Sequence, residues 1–301
     1  MNKITVFTPT YNRADTLPRL YTSLYMQTCI DFEWLIVDDG SIDDTEKLIN
    51  EFKAEGKITI KYVRQENGGK HRAFNTALSV VDTPLFFCVD SDDMLTNNAI
   101  ERILWYEEKY FDQTLLGFYF RRGNIDGYPI GKQWPENVQF APIIDLYDKY
   151  KFSGDTAIIL KTHMVSSICF PIFNGEKFVT ESVFYNLLNN IAPMAYINEI
   201  IYLCEYREDG YTRNWERILV NNPRGTALYF LSDALYRRSL DCKFKKTAQY
   251  FAWCYVLDIN VREYDYMQKH ISLFVRIIGK VLSLHYIMRF TKMREEYTRE
   301  A

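Results

Sequence analysis

The chain has 301 residues, 48% apolar and 25% charged, a balance that supports a buried core and excludes disordered, collagenous and coiled-coil classes. Its 36 basic and 39 acidic side chains leave a net charge of −3, which gives no whole-chain reason to expect a nucleic-acid partner. Six cysteines show no C-x-x-C pair and no histidine at ligand spacing, so they read as reduced thiols and not as a zinc site or a disulfide framework.

Residues 4–7 form a short apolar run, too short for a signal peptide, and no 18-residue uncharged apolar stretch is present. The expectation is a cytoplasmic protein. That run predicts a first strand, stopped by Thr8-Pro9-Thr10. Thr16 then offers a cap for a helix carrying Leu17, Leu20, Tyr21 and Leu24 on one face, with Pro18 tolerated in its first turn. Trp34-Leu35-Ile36-Val37 predicts a second strand, halted by Asp38-Asp39-Gly40-Ser41, with Ser41 placed to cap a helix striped by Leu48, Ile49 and Phe52. Residues 58–63 predict a third strand, and Ala73, Ala77, Leu78 and Val81 stripe a third helix. Residues 85–89 predict a fourth strand, broken by Asp90-Ser91-Asp92-Asp93, and a helix from Thr96 follows. Between 106 and 210 the pattern loosens, with a helix expected from Thr180 and a strand over 196–203. Beyond 211 everything reads as helix.

Strands with continuous apolar runs alternating with helices imply a parallel sheet covered on both faces. Ligands of such sheets bind beyond the carboxyl ends of the strands. The acid clusters fall there: Asp38 and Asp39 after the second strand, Asp90, Asp92 and Asp93 after the fourth. Three acids within four positions repel unless donors or a cation compensate them, and hard Mg²⁺ or Mn²⁺ takes one or two carboxylates together with substrate phosphates. A solvated turn is the bland alternative for either cluster alone. Between the two lies Asn67-Gly68-Gly69-Lys70-His71-Arg72, where glycines admit close backbone approach and a helix start with Lys70 suits an anion. It matches neither G-x-G-x-x-G nor the P-loop pattern.

Taken together, Thr8-Pro9-Thr10-Tyr11-Asn12-Arg13, Val37-Asp38-Asp39-Gly40-Ser41, Asn67-Gly68-Gly69 and Val89-Asp90-Ser91-Asp92-Asp93 resemble, in order and spacing, the inverting family 2 glycosyltransferases of GT-A fold. Gly175-Glu176-Lys177-Phe178-Val179-Thr180-Glu181 resembles the catalytic-base region of bacterial polysaccharide-making members, and residues 206–214 resemble the loop that follows it. The resemblance implies an α/β fold with a Rossmann-like, mostly parallel sheet flanked by helices. It further implies a catalytic domain over 1–210, with a nucleotide-binding half (1–110) and an acceptor half (111–210), followed by a helical region over 211–301. It implies a nucleotide-diphosphosugar donor, most often UDP-linked, and a glycan or lipid-linked glycan acceptor. Pro9, Tyr11, Arg13, Asp38 and Asp39 would line the nucleotide pocket, with Asp39 accepting from the base N–H. Gly68, Gly69 and Lys70 would face the donor, as would Asp93. Asp90 and Asp92 would hold Mg²⁺ or Mn²⁺, and Arg207 and Arg213 would flank a loop closing on the diphosphate.

The family's base is the Asp of a Glu-Asp pair, and here the matching text is Thr180-Glu181-Ser182. Glu181 is the expected base, because Thr180 can cap a helix whose first turn favours an ionised carboxylate; Glu176 is the alternative. The serine keeps a second reading open, a non-catalytic nucleotide-sugar-binding scaffold. A signalling receiver is disfavoured because the third strand ends in Val63-Arg64 without an acid. A nucleotidyltransferase is disfavoured because its N-terminal glycine-rich loop is missing. Residues 211–301 carry a net +7 against −10 for 1–210, and Ile271, Phe274, Val275, Ile278, Val281 and Leu282 are expected on one helical face with Arg276 and Lys280 beside it. Peripheral contact of 271–294 with the inner face of a membrane is one use of that pattern.

Overall fold

The computed structural model describes residues 2–205 and 214–298. The chain forms two compact units, 1–169 with 190–206, and 170–189 with 207–301. The division therefore differs from a single boundary near 210, because residues 170–189, with both candidate bases, belong to the helical unit.

The first unit runs β1 (Ile4–Thr10), α1 (Leu17–Tyr25), β2 (Phe32–Asp38), α2 (Thr45–Glu55), β3 (Ile60–Arg64), α3 (Lys70–Val80) and β4 (Leu85–Cys88). It continues with β5 (Met94–Leu95), α4 (Ala99–Lys109), β6 (Gly117–Asn124), β7 (Phe140–Ala141), α5 (Ile143–Asp148), β8 (Thr156–Lys161), α6 (Thr162–Val165) and, after the excursion into the other unit, β9 (Met194–Cys204). The sheet order is β3-β2-β1-β4-β8-β6-β9-β5, with β7 also on β9. From β3 to β4 all pairings are parallel, which bears out the expected alternation. Beyond β4 the sheet is mixed: β8 is antiparallel to β4 and β6, and β9 is parallel to β6 but antiparallel to β5 and β7. Every residue of β1 and β2 is buried, as continuous apolar strands between two helical layers require.

The chain steps from β1 outward to β3 and then returns to the other side of β1 as β4. The order reverses between β1 and β4, and an open α/β sheet forms its ligand crevice at that point. β1 outruns the expected stop at Thr8 and carries Pro9 paired with Val37. Proline is admissible there because β4 has ended: its pairing with β1 stops at Phe7 opposite Cys88, so no neighbour on that side asks for the missing N–H. Neither helix cap forms as expected. Thr16 precedes α1 but makes no side-chain cap bond, and α2 begins after Asp44. Ser41 instead joins two loops, its Oγ accepting from Asn12 N at 2.9 Å. None of the six cysteines forms a disulfide.

The helical unit comprises α7 (Glu181–Leu188), α8 (Trp215–Asn221), α9 (Pro223–Tyr236), α10 (Leu240–Val256), α11 (Asp265–Gln268) and α12 (Leu273–Thr298). Its core is aromatic: Trp253 packs edge-on against Phe290 at 5.0 Å and against Phe230 at 5.9 Å. α10 and α12 approach closely at Gly279, where a Cβ would lie 2.5 Å from Thr247 Cγ2. The single apolar face expected for 271–282 does not survive. Ile271 and Val275 are buried, whereas Phe274, Val281 and Leu282 are exposed. No helix among the described residues is long and apolar enough to cross a membrane.

Candidate functional site

Three loops leave the carboxyl ends of β1, β2 and β3, and the sequence ties them together. The β1–α1 and β2–α2 loops are joined by four bonds: Asn12 N to Ser41 Oγ, Ile42 N to Asn12 Oδ1, Arg13 N to Thr45 Oγ1 and Ala14 N to Asp43 Oδ2. Asn12 adopts φ +52° to make its pair, a conformation that asparagine tolerates better than most residues. The loop leaves the Tyr11 ring 44% exposed at the end of β1, so an aromatic face is available for stacking.

Asp38 and Asp39 are both buried, and burial of a carboxylate demands partners. Asp38 accepts from Ser41 N and from the Tyr62 hydroxyl, both at 2.8 Å. Asp39 Oδ1 accepts from Gln65 Nε2 (2.7 Å) and Gly68 N (2.9 Å), and Oδ2 from Gly69 N (2.7 Å) and Asn67 Nδ2 (3.1 Å). Four donors fill the four lone-pair positions of an ionised carboxylate. Asp39 thus holds the Asn67-Gly68-Gly69 loop, and accepting from a base N–H requires displacing one of those donors. Gly69 sits at φ +93°, where a side chain would be strained, and this lets both amides turn toward the carboxylate.

The loop then delivers Lys70 to the fourth strand's acids. Lys70 Nζ lies 2.5 Å from Asp90 Oδ1. A continuous chain of contacts therefore runs from Asp39 through Gly68 and Gly69 to Lys70 and on to Asp90, joining the ends of β2 and β4. The positive charges of Lys70 and Arg122 hold the Asp90 carboxyl below the usual range, against the desolvation that would raise it. Asp93 is pushed up to about 7, first by burial and then by the charge of Asp90, with the Tyr202 hydrogen bond and Arg122 opposing. Asp92 is raised by burial and by Asp90. Its main-chain oxygen accepts from Arg19, but among the described residues its carboxylate has no ion pair and no hydrogen bond to another side chain.

Sequence reasoning missed the residues that hold this loop. Tyr202, on β9, donates to Asp93 Oδ2 at 2.6 Å and accepts from Asp90 N at 3.0 Å. Arg122, on β6, lies 3.8 Å from Asp93 and stacks 4.0 Å above the Tyr202 ring. Its charge also faces Asp155. The one available signal was the Arg121-Arg122 pair closing an otherwise apolar strand.

In the helical unit, Glu176 is buried and both its oxygens accept backbone N–H groups at the start of α9, Oε1 from Arg224 and Oε2 from Gly225, each at 2.8 Å. That is a helix-capping arrangement, and it engages both carboxylate oxygens at the start of α9. Glu181 opens α7, whose N-cap Thr180 accepts from Ser182 N as the sequence predicted, and it is partly exposed. Arg207 and Arg213 lie outside the described residues.

The hard oxygen pair Asp90 and Asp92 has the donor chemistry for a divalent cation: burial and the charge of Asp90 disfavour the Asp92 anion against the opposing charges of Arg13 and Lys70, and a 2+ charge would relieve it. No group of three or more His, Cys, Asp or Glu able to hold a metal occurs among the described residues, so the remaining positions would fall to ligand oxygens and water.

The model of glycosyl transferase family 2 matches residues 5–173, and the chain belongs to that family, with its GT-A fold. It is 25% identical over 234 residues to the glycosyltransferase GlyG of Streptococcus pneumoniae, covering 72% of this chain and 77% of that protein. It is 31% identical over 147 residues to the poly(ribitol-phosphate) β-N-acetylglucosaminyltransferase TarP of Staphylococcus aureus, covering 48% of this chain and 45% of TarP. Among solved structures, S. aureus TarS 1–349 in complex with UDP-GlcNAc shares the fold with a TM-score of 0.65 at 16% identity, across 100% of this chain and 92% of that one.

Proposed function

We propose that this chain transfers a sugar from a UDP-linked donor to an acceptor hydroxyl of a cell-surface glycan or lipid-linked glycan, with inversion at the anomeric carbon. The observation that carries the reading is the contact chain Asp39–Gly68/Gly69–Lys70–Asp90, which gathers both acid clusters at the sheet's reversal point beside the Asp92 carboxylate. The family membership supports the reaction class, the TarS complex supports UDP-GlcNAc chemistry as a starting point, and the name of TarP supports a polymeric polyol-phosphate type of acceptor.

In this reading the exposed Tyr11 ring stacks on the base, and Pro9 and Arg13 complete the wall. A base N–H approaches Asp39 by replacing the Gln65 side chain, the one donor on a flexible arm other than Asn67. Lys70 and the Gly68–Gly69 turn face the diphosphate, and Asp93 contacts the donor sugar. Asp90 and Asp92 would hold Mg²⁺ or Mn²⁺, which supplies positive charge against the leaving diphosphate. Attack by the acceptor oxygen forms the new C–O bond as the bond to the UDP oxygen breaks on the opposite face. The acceptor proton passes to Glu181, which opens α7 behind its Thr180 cap.

The test is UDP release by the purified full chain, over a panel of UDP-sugars with and without Mn²⁺ or Mg²⁺, with acceptor polymer added or omitted. Acceptor-dependent release with one sugar, lost in Asp92→Asn and in Glu181→Gln, is the expected result. Ser182 at the usual Asp position favours a second reading, a non-catalytic scaffold. Donor-induced thermal stabilisation without release under any condition would select it.

A further inference from the structure

Helix α12 carries two apolar faces. At 100° per residue, Val275, Gly279, Ser283, Phe290 and Met293 share the side buried within the helical unit. Diametrically opposite, Leu273, Phe274, Ile277, Val281, Leu284 and Met288 occupy an arc of about 100° and are 63%, 64%, 53%, 64%, 70% and 81% exposed. The stripe is about 22 Å long at 1.5 Å per residue. Scattered exposed apolar residues need no explanation, but a continuous outward row of six does.

Charge decides what covers it. Residues 266–294 contain six Lys or Arg and no Asp or Glu. On the helical wheel Arg276, Lys280 and Arg294 border one edge of the stripe, and Arg289 and Lys292 border the other. Two copies of this helix packed stripe to stripe, in either direction, would set cation against cation along both seams, the pattern that natural coiled coils use to reject a pairing. An anionic lipid surface presents the opposite charge to both edges and an apolar layer to the stripe between them.

We infer that α12 lies in the plane of an anionic membrane surface, with the stripe Leu273–Phe274–Ile277–Val281–Leu284–Met288 inserted at the headgroup boundary and the flanking Lys280 and Lys292 on lipid phosphates, while Arg289 keeps its ion pair with Glu216. The occupant is the bilayer and not a second chain. This goes beyond the transferase reading and does not depend on it.

The test is co-sedimentation of the full chain with vesicles of phosphatidylcholine alone and with about 30 mol% phosphatidylglycerol, the anionic fraction at which basic surfaces bind appreciably. Binding should require the anionic lipid and weaken as salt rises. The variant Ile277→Ser/Val281→Ser/Leu284→Ser alters only exposed positions; it should keep its thermal unfolding midpoint and lose binding by at least about tenfold. Lys280→Glu/Lys292→Glu should lose it comparably. Equal sedimentation of parent and serine variant, or no sedimentation of the parent, overturns the inference. So does a dimer seen by light scattering that the serine variant dissolves, because the stripe would then be a self-association face.

Discussion

Asp39→Asn separates two jobs for one carboxylate. In the parent, Gln65 Nε2 and Gly68 N converge on one oxygen and Asn67 Nδ2 and Gly69 N on the other. An asparagine keeps the shape but offers a single oxygen. Whichever way the amide turns, its nitrogen faces two donors, so two charge-assisted bonds vanish and two N–H groups are left opposed. Each bond to a charged group contributes about 1.5–3 kcal/mol, so the loss is about 3–6 kcal/mol, a large part of the 5–15 kcal/mol that typically separates folded from unfolded chains. The effect should be local first. Amide exchange at Gly68 and Gly69 should accelerate by at least about 100-fold, the equivalent of about 2.7 kcal/mol, and urea unfolding of the first unit should shift to lower concentration. UDP affinity should fall with it, because Lys70 is aimed by the same turn. If the two glycine amides exchange as slowly as in the parent and the urea midpoint is unmoved, Asp39 does not organise this loop.

Tyr202→Phe removes a buried hydroxyl serving Asp93 and Asp90 N; losing one bond to a charged acceptor and leaving an N–H unpaired predicts about 3 kcal/mol of destabilisation, and a loss under about 0.5 kcal/mol in urea would refute the assignment. His71 is 3% exposed and burial, with the charge of Arg72, holds its imidazole down at about 4. Because the folded state refuses a proton that the unfolded chain accepts at its ordinary value of about 6.5, stability is full above that pH and falls as pH drops toward 4. The loss is about 2 kcal/mol at pH 5; Asp93, whose raised carboxyl gains stability over the same drop, opposes it in the parent, so the readout is the difference in urea stability between parent and His71→Gln, which should shift against the parent by about 2 kcal/mol from pH 7 to pH 5. Glu176→Gln should lower stability by about 2 kcal/mol by weakening the start of α9 while leaving turnover close to the parent's. A kcat loss above about 100-fold at unchanged stability would return Glu176 to the chemistry.

The parallel half of the fold was legible because its signals are local. Continuous apolar runs at 34–37 and 85–89 admit only buried strands, and the acids stopping them mark strand ends where a ligand crevice forms. The caps were misread for a related reason. Ser41 has the spacing of a helix cap, but its hydroxyl is drawn instead to Asn12 N across 29 residues, a competition between loops that a local pattern does not contain. In the mixed half the strand expected over 196–203 appears as β9 (Met194–Cys204), but its partners were not legible, because β5 is two residues long and β6, β8 and β9 pair out of chain order.

At the site, the acids were legible and their keepers were not. Asp90 and Asp93 announce themselves by density, yet what allows three carboxyls to share one turn is Tyr202, 112 residues beyond Asp90, and Arg122 stacked upon it. Compensation of buried charge follows proximity in space, so a sequence reveals the charge that needs compensation before it reveals the group that supplies it. The same logic explains α12. Two apolar faces on opposite sides of one helix cancel any single-face periodicity, and reading 271–282 as one stripe merged Val275, which is buried, with Phe274 and Val281, which are exposed. Only the packing of α10 distinguishes the face that is already satisfied from the one still requiring a partner, and the cations bordering the second face then determine what that partner is.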